Sequence, residues 1–412
     1  MNNSSSAPVA VTPAITYSST PKMEVSLLHS LQDKKDLSLA YTPGIADVSR
    51  LIQSEPSALF THTFVRNNLA VISDGSAVLG LGNIGHKASY PVMEGKAMLF
   101  KRFCNIDAIP IIINTQDPDE FITTVVRIAD SFGAINLEDI AAPQCFYIEE
   151  QLKKRLNIPV MHDDQHGTAT VVLAAVLNAL EITQRADISQ VRTVVSGAGA
   201  AATAVIKLLL ASGAQDLVVL DSQGIIHAGR SDLNPEKTWL ALNTNPRSLT
   251  GTLAQAIVGA DVFIGLSRGK LLTTQDVKTL AKESIIIAMA NPEPEILPEQ
   301  GLEGGAAVVA TGRSDYPNQV NNALAFPGIF RGALNTRSQI TSDMLIAAAQ
   351  AIREYHHEDL SLDNLMPSIL DEQVHAYIAQ KVESVAISKF PVTDNSLHSR
   401  GSSNSQQVQS IL

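Results

Sequence analysis

Short runs of β-branched and other apolar residues recur along the second half of the chain, separated by longer segments of mixed character. Five of these runs are predicted as strands: residues 191–196, 217–221, 261–265, 285–289 and 306–310. Helical or mixed segments lie between them, as at 201–212 and 274–283. Strands that alternate with helices pair in parallel through right-handed crossovers. This half of the chain therefore predicts a Rossmann-like, doubly wound parallel sheet of the α/β class.

Two strand-like runs in the middle of the chain each end in a pair of acids. The pairs are Glu138 and Asp139 after residues 134–137, and Asp163 and Asp164 after residues 158–162. Open α/β sheets build their sites at the carboxyl ends of strands. Hard divalent cations such as Mg²⁺ or Mn²⁺ take carboxylate oxygens as ligands, so the pattern predicts a metal site. The alternative is that the second pair caps a helix, because a helical run is predicted over 168–182.

The length of the chain, 412 residues, suits two domains. We place the boundary near Pro159, which gives a mixed α/β N-terminal domain over 22–158 and the doubly wound domain over 159–390. Residues 1–21 and 391–412 are rich in small and polar residues, and such segments bury too little apolar surface to offset the entropy of ordering. Both ends are predicted to be mobile tails.

Composition narrows the class of protein. Hydrophobic residues make up 45% of the chain, but no apolar run approaches the roughly 20 residues of a membrane helix. The N-terminus lacks the features of a signal peptide, so we expect a cytoplasmic protein with no membrane partner. Cys104 and Cys145 form no metal or disulfide pattern and are predicted to be reduced core thiols. The net charge of -11 argues against a nucleic-acid partner, since phosphate binding needs a basic face.

Two glycine-rich loops match a dinucleotide fingerprint, and only one has the expected surroundings. The loop after the strand at 191–196 opens a helix, and an acid, Asp221, ends the next strand. Its glycines would let the backbone approach a pyrophosphate at the helix N-terminus. The predicted cofactor-binding residues here are Gly197, Ala198, Gly199, Ala200 and Ala202. The second loop, Gly80-Leu-Gly-Asn-Ile-Gly85, lacks an acid-ended strand after it and is predicted not to bind the dinucleotide phosphates.

The acid at 221 bears on which dinucleotide is used. A carboxylate there would accept hydrogen bonds from the adenosine ribose of NAD and repel the 2′-phosphate of NADP. We therefore expect a preference for NAD. Ser222, Arg230 or Lys237 could reverse that preference by meeting the phosphate.

Six motifs together resemble malic enzymes of the small bacterial type, over residues 26 to 389. They are residues 41–46, 80–85, 93–97, 136–139, 162–168 and 311–322. The resemblance implies oxidative decarboxylation of (S)-malate to pyruvate and CO₂ with reduction of NAD(P)⁺, a divalent metal, and activity on oxaloacetate as well. It also implies a homodimer. Some relatives carry an acyltransferase-like domain downstream, and we expect no regulation through one here.

The resemblance assigns roles to the acids and to two further residues. It implies that Glu138, Asp139 and Asp164 bind the metal and that Asp163 is hydrogen-bonded to Lys96. Lys96 would be the general base, which requires burial or a nearby cation to lower its pKa; the alternative is an exposed helix lysine paired with Glu94. Tyr41 would be the general acid that protonates C3, whereas without the motif an aromatic before Thr-Pro would be a core or turn residue.

Substrate contacts are assigned more loosely. The resemblance implies that Asn291 and Asn322 hold a malate carboxylate or the nicotinamide amide, although Asn291 precedes a proline and could serve only as a turn residue. Larger malic enzymes have an arginine where this chain offers Ser76, which we take as a substrate-binding candidate. His162 and His166 are interpreted as packing or supporting groups rather than ligands.

Two other functions compete with oxidative decarboxylation. One is a malate-to-lactate enzyme or a decarboxylase that keeps its nicotinamide bound and shows no net redox change. The other is a nucleotide-sensing protein with a degenerate site, which is disfavoured because such a protein would not need Tyr41, Lys96 and three metal carboxylates together.

Overall fold

The computed structural model describes residues 11–185 and 187–389. The strands in these residues are β1 (Asn68–Ser73), β2 (Asp107–Ile112), β3 (Ile135–Leu137), β4 (Val160–His162), β5 (Arg192–Ser196), β6 (Asp216–Asp221), β7 (Gly224–Ile225), β8 (Val262–Gly265), β9 (Ile285–Ala288) and β10 (Val308–Thr311). The α-helices are α1 (Pro13–Tyr17), α2 (Lys34–Ala40), α3 (Ile45–Ser54), α4 (Leu59–His62), α5 (His86–Cys104), α6 (Pro118–Ile128), α7 (Gln144–Arg155), α8 (Asp163–Ile182), α9 (Ala200–Ala211), α10 (Pro235–Asn243), α11 (Leu253–Ala256), α12 (Thr274–Val277), α13 (Pro298–Glu303), α14 (Phe326–Thr336), α15 (Ser342–His356) and α16 (Glu372–Lys389).

The first sheet has four parallel strands in the order β2-β1-β3-β4. The strand order reverses between β1 and β3, which is where an open parallel sheet leaves a crevice at its carboxyl edge. Strand β4 pairs with β3, so this sheet runs past the boundary predicted near Pro159 and ends at His162. The two acid pairs therefore follow adjacent strands of one sheet.

The second sheet has the order β10-β9-β8-β5-β6-β7, and all its pairings are parallel except the β6–β7 hairpin. The predicted strands match β5, β6, β8, β9 and β10 to within two residues at each end. Here the order reverses between β5 and β8, beside the glycine loop that follows β5. The prediction of a doubly wound parallel sheet is confirmed.

The helix that follows β4 joins the two sheets through a shared core. Helix α8 carries alanine and valine on most of its faces, and a helix that is apolar all round is buried. One hydrophobic cluster contains residues of β1, α8, β5, β8 and α14. Helix α14 packs on α5, where the Phe100 ring meets those of Phe326 and Phe330 at centroid distances of 4.7 Å and 5.3 Å.

Some predicted elements differ in extent. The helix predicted over 168–182 begins earlier, at Asp163, so both acids of the second pair lie in its first turn. The mixed segment 274–283 is helical only to Val277. Part of the predicted N-terminal tail contains the short helix α1, all of whose residues are exposed. Residues 1–10 of that tail and the whole predicted C-terminal tail, 391–412, lie outside the described residues.

Within the described part of the chain, no helix is both long and apolar enough to cross a membrane. Cys104 and Cys145 are free thiols, and burial raises the pKa of each to about 12.

Candidate active site between the two sheets

The four acids lie side by side at the carboxyl ends of β3 and β4. Glu138 and Asp139 leave the sheet directly after β3, and Asp163 and Asp164 open helix α8. Exposure is 3% for Glu138, 4% for Asp139 and 0% for Asp163. The Asp139 backbone N–H donates to Asp164 Oδ2 at 2.8 Å, which ties the two pairs together. Capping alone does not explain three buried carboxylates grouped with a fourth, Asp164, that is partly exposed.

The electrostatics of this cluster suit a hard divalent cation. Carboxylate oxygens of Glu138, Asp139 and Asp164 lie within 4.8 Å of one another. Burial, together with the charge of Asp164, raises the pKa of Asp139 to about 8, and burial raises that of Glu138 to about 7 although Lys96 opposes the rise. Asp139 Oδ2 is buried and accepts no hydrogen bond from residues 11–185 or 187–389. An all-oxygen set of crowded carboxylates with an unused oxygen is the arrangement that Mg²⁺ or Mn²⁺ would stabilise.

Lys96 projects from α5 into the same cluster. Its Nζ lies 2.5 Å from Asp163 Oδ2, 2.9 Å from Glu138 Oε1 and 4.3 Å from the centre of the Phe326 ring. Glu94 pairs instead with Lys22, so Lys96 is not the exposed helix lysine of the alternative interpretation. Burial lowers the Lys96 pKa, but Asp163 and Glu138 outweigh it and raise the value. A general base needs a lower pKa, and a cation bound at the adjacent carboxylates would oppose this rise.

Two hydrogen-bond donors and one glycine define the position of Asp163. It accepts hydrogen bonds from Lys96 and, at 2.6 Å, from Asn322 Nδ2 in the loop after β10. Burial raises the Asp163 pKa to about 7, opposed by Lys96. The third neighbour is Gly167, one turn along α8, where a Cβ atom would lie only 1.8 Å from Asp163 Oδ1. Gly167 therefore makes the space that the carboxylate occupies.

The site lies between the carboxyl edges of the two sheets. Asn322 follows the second sheet yet contacts Asp163 of the first. A Cβ at Gly80, in the glycine loop between β1 and α5, would lie 3.0 Å from the carbonyl oxygen of Asn291 after β9. This second glycine loop thus faces the other sheet across the cleft. Asn291 itself is exposed.

Two predicted site residues are placed differently from the expectation. The Ser76 hydroxyl donates to Asp74 Oδ1 at 2.6 Å and accepts from the Ala141 N–H at 2.9 Å, so it joins the loops after β1 and β3 instead of offering a free donor to substrate. Tyr41 ends helix α2 and is 66% exposed. The described residues of this chain do not enclose it.

The first glycine loop has the geometry expected of a phosphate-binding turn. Gly197 has φ of 127°, and a Cβ there would lie 2.5 Å from the Leu266 carbonyl oxygen after β8. Gly199 is the N-cap of helix α9 and supplies no side-chain hydrogen bond, so the first backbone N–H groups of the helix are available to an anion. Ala202 is buried behind the turn, whereas Ala198 and Ala200 are partly exposed along it.

Asp221 stands at the end of β6 as predicted, but its carboxylate is already occupied. Arg230 donates to both oxygens at 2.8 Å and 2.9 Å, and Lys237 Nζ lies 2.7 Å from Oδ2. The side chain is only 6% exposed. Although burial raises it, these donors lower the pKa of Asp221 to about 2. The premise of the predicted NAD preference, a carboxylate free to accept ribose hydroxyls, is therefore not met.

Three residues that shape the site were not identified from the sequence: Glu149, Gly167 and Glu295. His162 and His166 lie beside Glu149. Glu149 of α7 pairs with His166, and burial lowers the pKa of the neighbouring His162 to about 4. Glu295 is fully buried and accepts the N–H groups of Ser267 and Ala290. In the sequence, Glu149 looks like an ordinary surface glutamate that pairs with Lys153 one turn later. Gly167 looks like a residue that weakens a helix. Neither carries a local signal of its role.

Comparison with family models covers most of the chain. The model described as "Malic enzyme, NAD binding domain" matches residues 165–387, and "Malic enzyme, N-terminal domain" matches residues 20–119 and 115–153. The chain belongs to the malic enzyme family. The predicted family, the enzyme class of NAD(P)-dependent decarboxylating oxidoreductases, and the mixed α/β fold with a Rossmann-like parallel sheet are confirmed.

Similar proteins include both cofactor types. The chain is 50% identical to the "Bifunctional malic/malolactic enzyme" of Bacillus subtilis, over 89% of this chain and 90% of the relative. It is 46% identical to the "NADP-dependent malic enzyme" of Halomonas elongata, over 92% and 94% of the two chains. The crystal structure of the NAD-dependent malic enzyme of Thermotoga maritima superposes with a TM-score of 0.85 at 47% identity, covering 88% of this chain and 96% of that one.

Proposed function

We propose that this malic enzyme converts (S)-malate and NAD(P)⁺ to pyruvate, CO₂ and NAD(P)H, and that it requires Mg²⁺ or Mn²⁺. The observation that carries the proposal is the position of Lys96 Nζ, 2.5 Å from Asp163 and 2.9 Å from Glu138, inside the acid cluster. A proton acceptor and a cation site are therefore close enough to act on the same hydroxyl-bearing carbon of malate. The reaction needs both.

Each group has a separate task in this proposal. Glu138, Asp139 and Asp164 would hold the metal, which would supply Lewis-acid polarisation of the substrate oxygen and offset the negative charge of the decarboxylation. Lys96 Nζ accepts the C2 hydroxyl proton as hydride moves to the nicotinamide. Asp163, fixed by Asn322, orients Lys96.

The remaining substrate contacts rest on placement. Asn291 lies at the carboxyl end of β9 on the cleft and is proposed to contact the nicotinamide amide or a malate carboxylate. Asn322 uses one of its two amide N–H donors on Asp163, which leaves the other donor and the carbonyl oxygen for ligand. Ser76 is engaged on both sides and is proposed to shape the loop after β1.

Tyr41 is proposed to be the general acid within a homodimer. No described residue from 11 to 57 is buried, and this segment exposes many large apolar side chains. Those more than half exposed are Val11, Tyr17, Val25, Leu27, Leu28, Leu31, Leu39 and Tyr41. A continuous exposed apolar segment of this kind marks an interface. A second copy packed on it would bury Tyr41 and exclude water from its phenol.

The proposed cofactor choice follows the ion pairs at Asp221. With both carboxylate oxygens bound to cations, the end of β6 no longer repels a 2′-phosphate. Lys237 is the more exposed of the two cations, with 26% of its side chain accessible. We propose that NADP⁺ is accepted as well as NAD⁺, with Lys237 and Arg230 meeting the phosphate. The cytoplasmic location stays a prediction of the sequence.

A malate-to-lactate activity is a second candidate, because the Bacillus subtilis relative is named as bifunctional. Such a reaction returns the hydride to pyruvate and leaves no reduced cofactor free. Decarboxylation of oxaloacetate would use the same metal site without hydride transfer.

One assay separates these functions. Absorbance of reduced nicotinamide is followed with malate, using NAD⁺ or NADP⁺, in Mn²⁺ or in excess chelator, while pyruvate and lactate are measured at the end. The proposal expects metal-dependent NAD(P)H in equal amount to pyruvate. Lactate without NAD(P)H would favour the second candidate, and full turnover in chelator would contradict the metal site.

A further inference from the structure

A buried glutamate lies on the side of α8 opposite the proposed metal site. Glu149 of α7 is 5% exposed, and its carboxylate accepts from the His162 backbone N–H at 3.2 Å and from Gln165 Nε2 at 3.2 Å. His166 Nε2 lies 2.9 Å away and Lys153 Nζ 2.7 Å. Although burial raises it, His166 and Lys153 hold the pKa of Glu149 well below its usual range. The group is therefore a buried carboxylate with four donors.

Three of those four donors belong to the turn that carries the acids. Residues 162, 165 and 166 flank Asp163 and Asp164, and helix α8 has no side-chain cap of its own at His162. One face of the turn contacts Lys96 and Asn322 through Asp163. On the other face, His162, Gln165 and His166 contact Glu149. The turn is thus held from both sides.

The same carboxylate also joins the two units that supply the metal ligands. Helix α7 follows β3, which leads into Glu138 and Asp139, and α8 follows β4 and carries Asp164. A link between α7 and the first turn of α8 fixes how far Asp164 stands from the other two ligands. We propose that Glu149 is a positioning residue that sets the geometry, and so the affinity, of the metal site.

This inference rests on the proposed metal-dependent function and can fail separately from it. Groups that orient metal ligands typically contribute about 10- to 100-fold in metal affinity. A merely structural glutamate would instead lower the melting temperature and leave metal affinity unchanged. The two roles are separated by measuring Mn²⁺ binding directly.

The test compares Glu149→Gln and Glu149→Ala with wild type in the full chain. Glu150→Gln is the matched control, because Glu150 is the next residue on α7 and its pair with Lys154 is exposed. The Kd for Mn²⁺ is measured by electron paramagnetic resonance of free Mn²⁺, together with NAD(P)H binding by fluorescence and thermal melting. We expect Glu149→Ala to raise the Kd about 10- to 100-fold. Glu149→Gln should raise it less, since the amide oxygen still accepts the His162 N–H, and NAD(P)H binding should not change in either variant.

A kinetic readout accompanies the binding data. Activity of the Glu149 variants should be lost at low Mn²⁺ and largely restored at saturating Mn²⁺, so the loss lies in the activation constant and not in kcat. A Kd within about two-fold of wild type in folded Glu149→Gln and Glu149→Ala would overturn the inference, even if both melt earlier. If the alanine variant does not fold, the same criterion is applied to the nearly isosteric glutamine variant. If wild type binds no Mn²⁺, the proposed metal site fails, and the inference with it.

Discussion

Replacement of Gly167 by alanine tests the site at its most crowded point. Gly167 lies in the interior of α8, where alanine is the better helix former by about 1 kcal/mol. Local propensity alone would make the substitution stabilising. The structure argues for the opposite effect on function, because the new methyl group would lie where the Asp163 carboxylate now stands.

The size of the displacement follows from the geometry. The added Cβ would lie 1.8 Å from Asp163 Oδ1, and ordinary van der Waals contact begins at 3.4 Å, so the carboxylate must move by about 1.6 Å. The same Cβ would lie 3.3 Å from Asn322 Cβ, which closes the space on that side. Since a misplacement of about 1 Å can cost about 10² in rate, we expect kcat to fall by about 10²-fold or more.

The assay is steady-state malate oxidation at saturating Mn²⁺, with thermal melting measured in parallel. Gly95→Ala is the control, because Gly95 is also a helix-interior glycine, next to Lys96, and a Cβ there meets nothing within 4 Å. The control should keep its activity. If Gly167→Ala retains kcat and kcat/KM within about two-fold of wild type, Asp163 does not need its present position, and its role in orienting Lys96 is refuted.

Three further predictions concern the base, the metal and the cofactor. Lys96→Ala should lower malate oxidation by about 10² to 10⁴ with NAD(P)H binding nearly unchanged; activity within a few-fold of wild type would remove Lys96 as the base. Chelation should abolish activity and Mn²⁺ should restore it, whereas Asp164→Asn should stay weak in Mn²⁺, since an amide replaces an anionic ligand; full turnover in either case would show that the acids are structural. Lys237→Ala should lower kcat/KM for NADP⁺ about tenfold and leave NAD⁺ unchanged, the loss expected for one charge-assisted hydrogen bond. An equal change for both cofactors would mean that Lys237 only supports Asp221.

The sequence by itself determined the elements and the type of chemistry. Parallel strands are apolar on both faces, so β5, β6, β8, β9 and β10 stand out as continuous β-branched runs. Acids directly after such runs belong at the carboxyl edge, and this places Glu138, Asp139, Asp163 and Asp164 together whatever the details of packing. Long ordered motifs then identified the family.

Pairing between distant residues was decided only by the tertiary structure. Judged from its neighbours in sequence, Asp221 is free to accept hydrogen bonds from ribose hydroxyls. In the fold, Arg230 and Lys237, which come later in the chain, pair with its carboxylate instead. Ser76 could have donated a hydrogen bond to a ligand, but its hydroxyl is already hydrogen-bonded to the loop after β3. A side chain's free hydrogen-bonding capacity depends on what packs beside it, and sequence spacing does not encode that.

The same dependence on packing explains why the roles of Gly167 and Glu149 could not be recognised from the sequence. Gly167 is a poor helix residue until the Asp163 carboxylate is seen to fill the space of its missing Cβ. From the sequence, Glu149 pairs with Lys153 as a surface glutamate would. In the fold, α7 packs on the first turn of α8 and buries the Glu149 carboxylate there. Burial turns an ordinary carboxylate into one that must be fully hydrogen-bonded. Which carboxylates are buried is a property of the assembled fold.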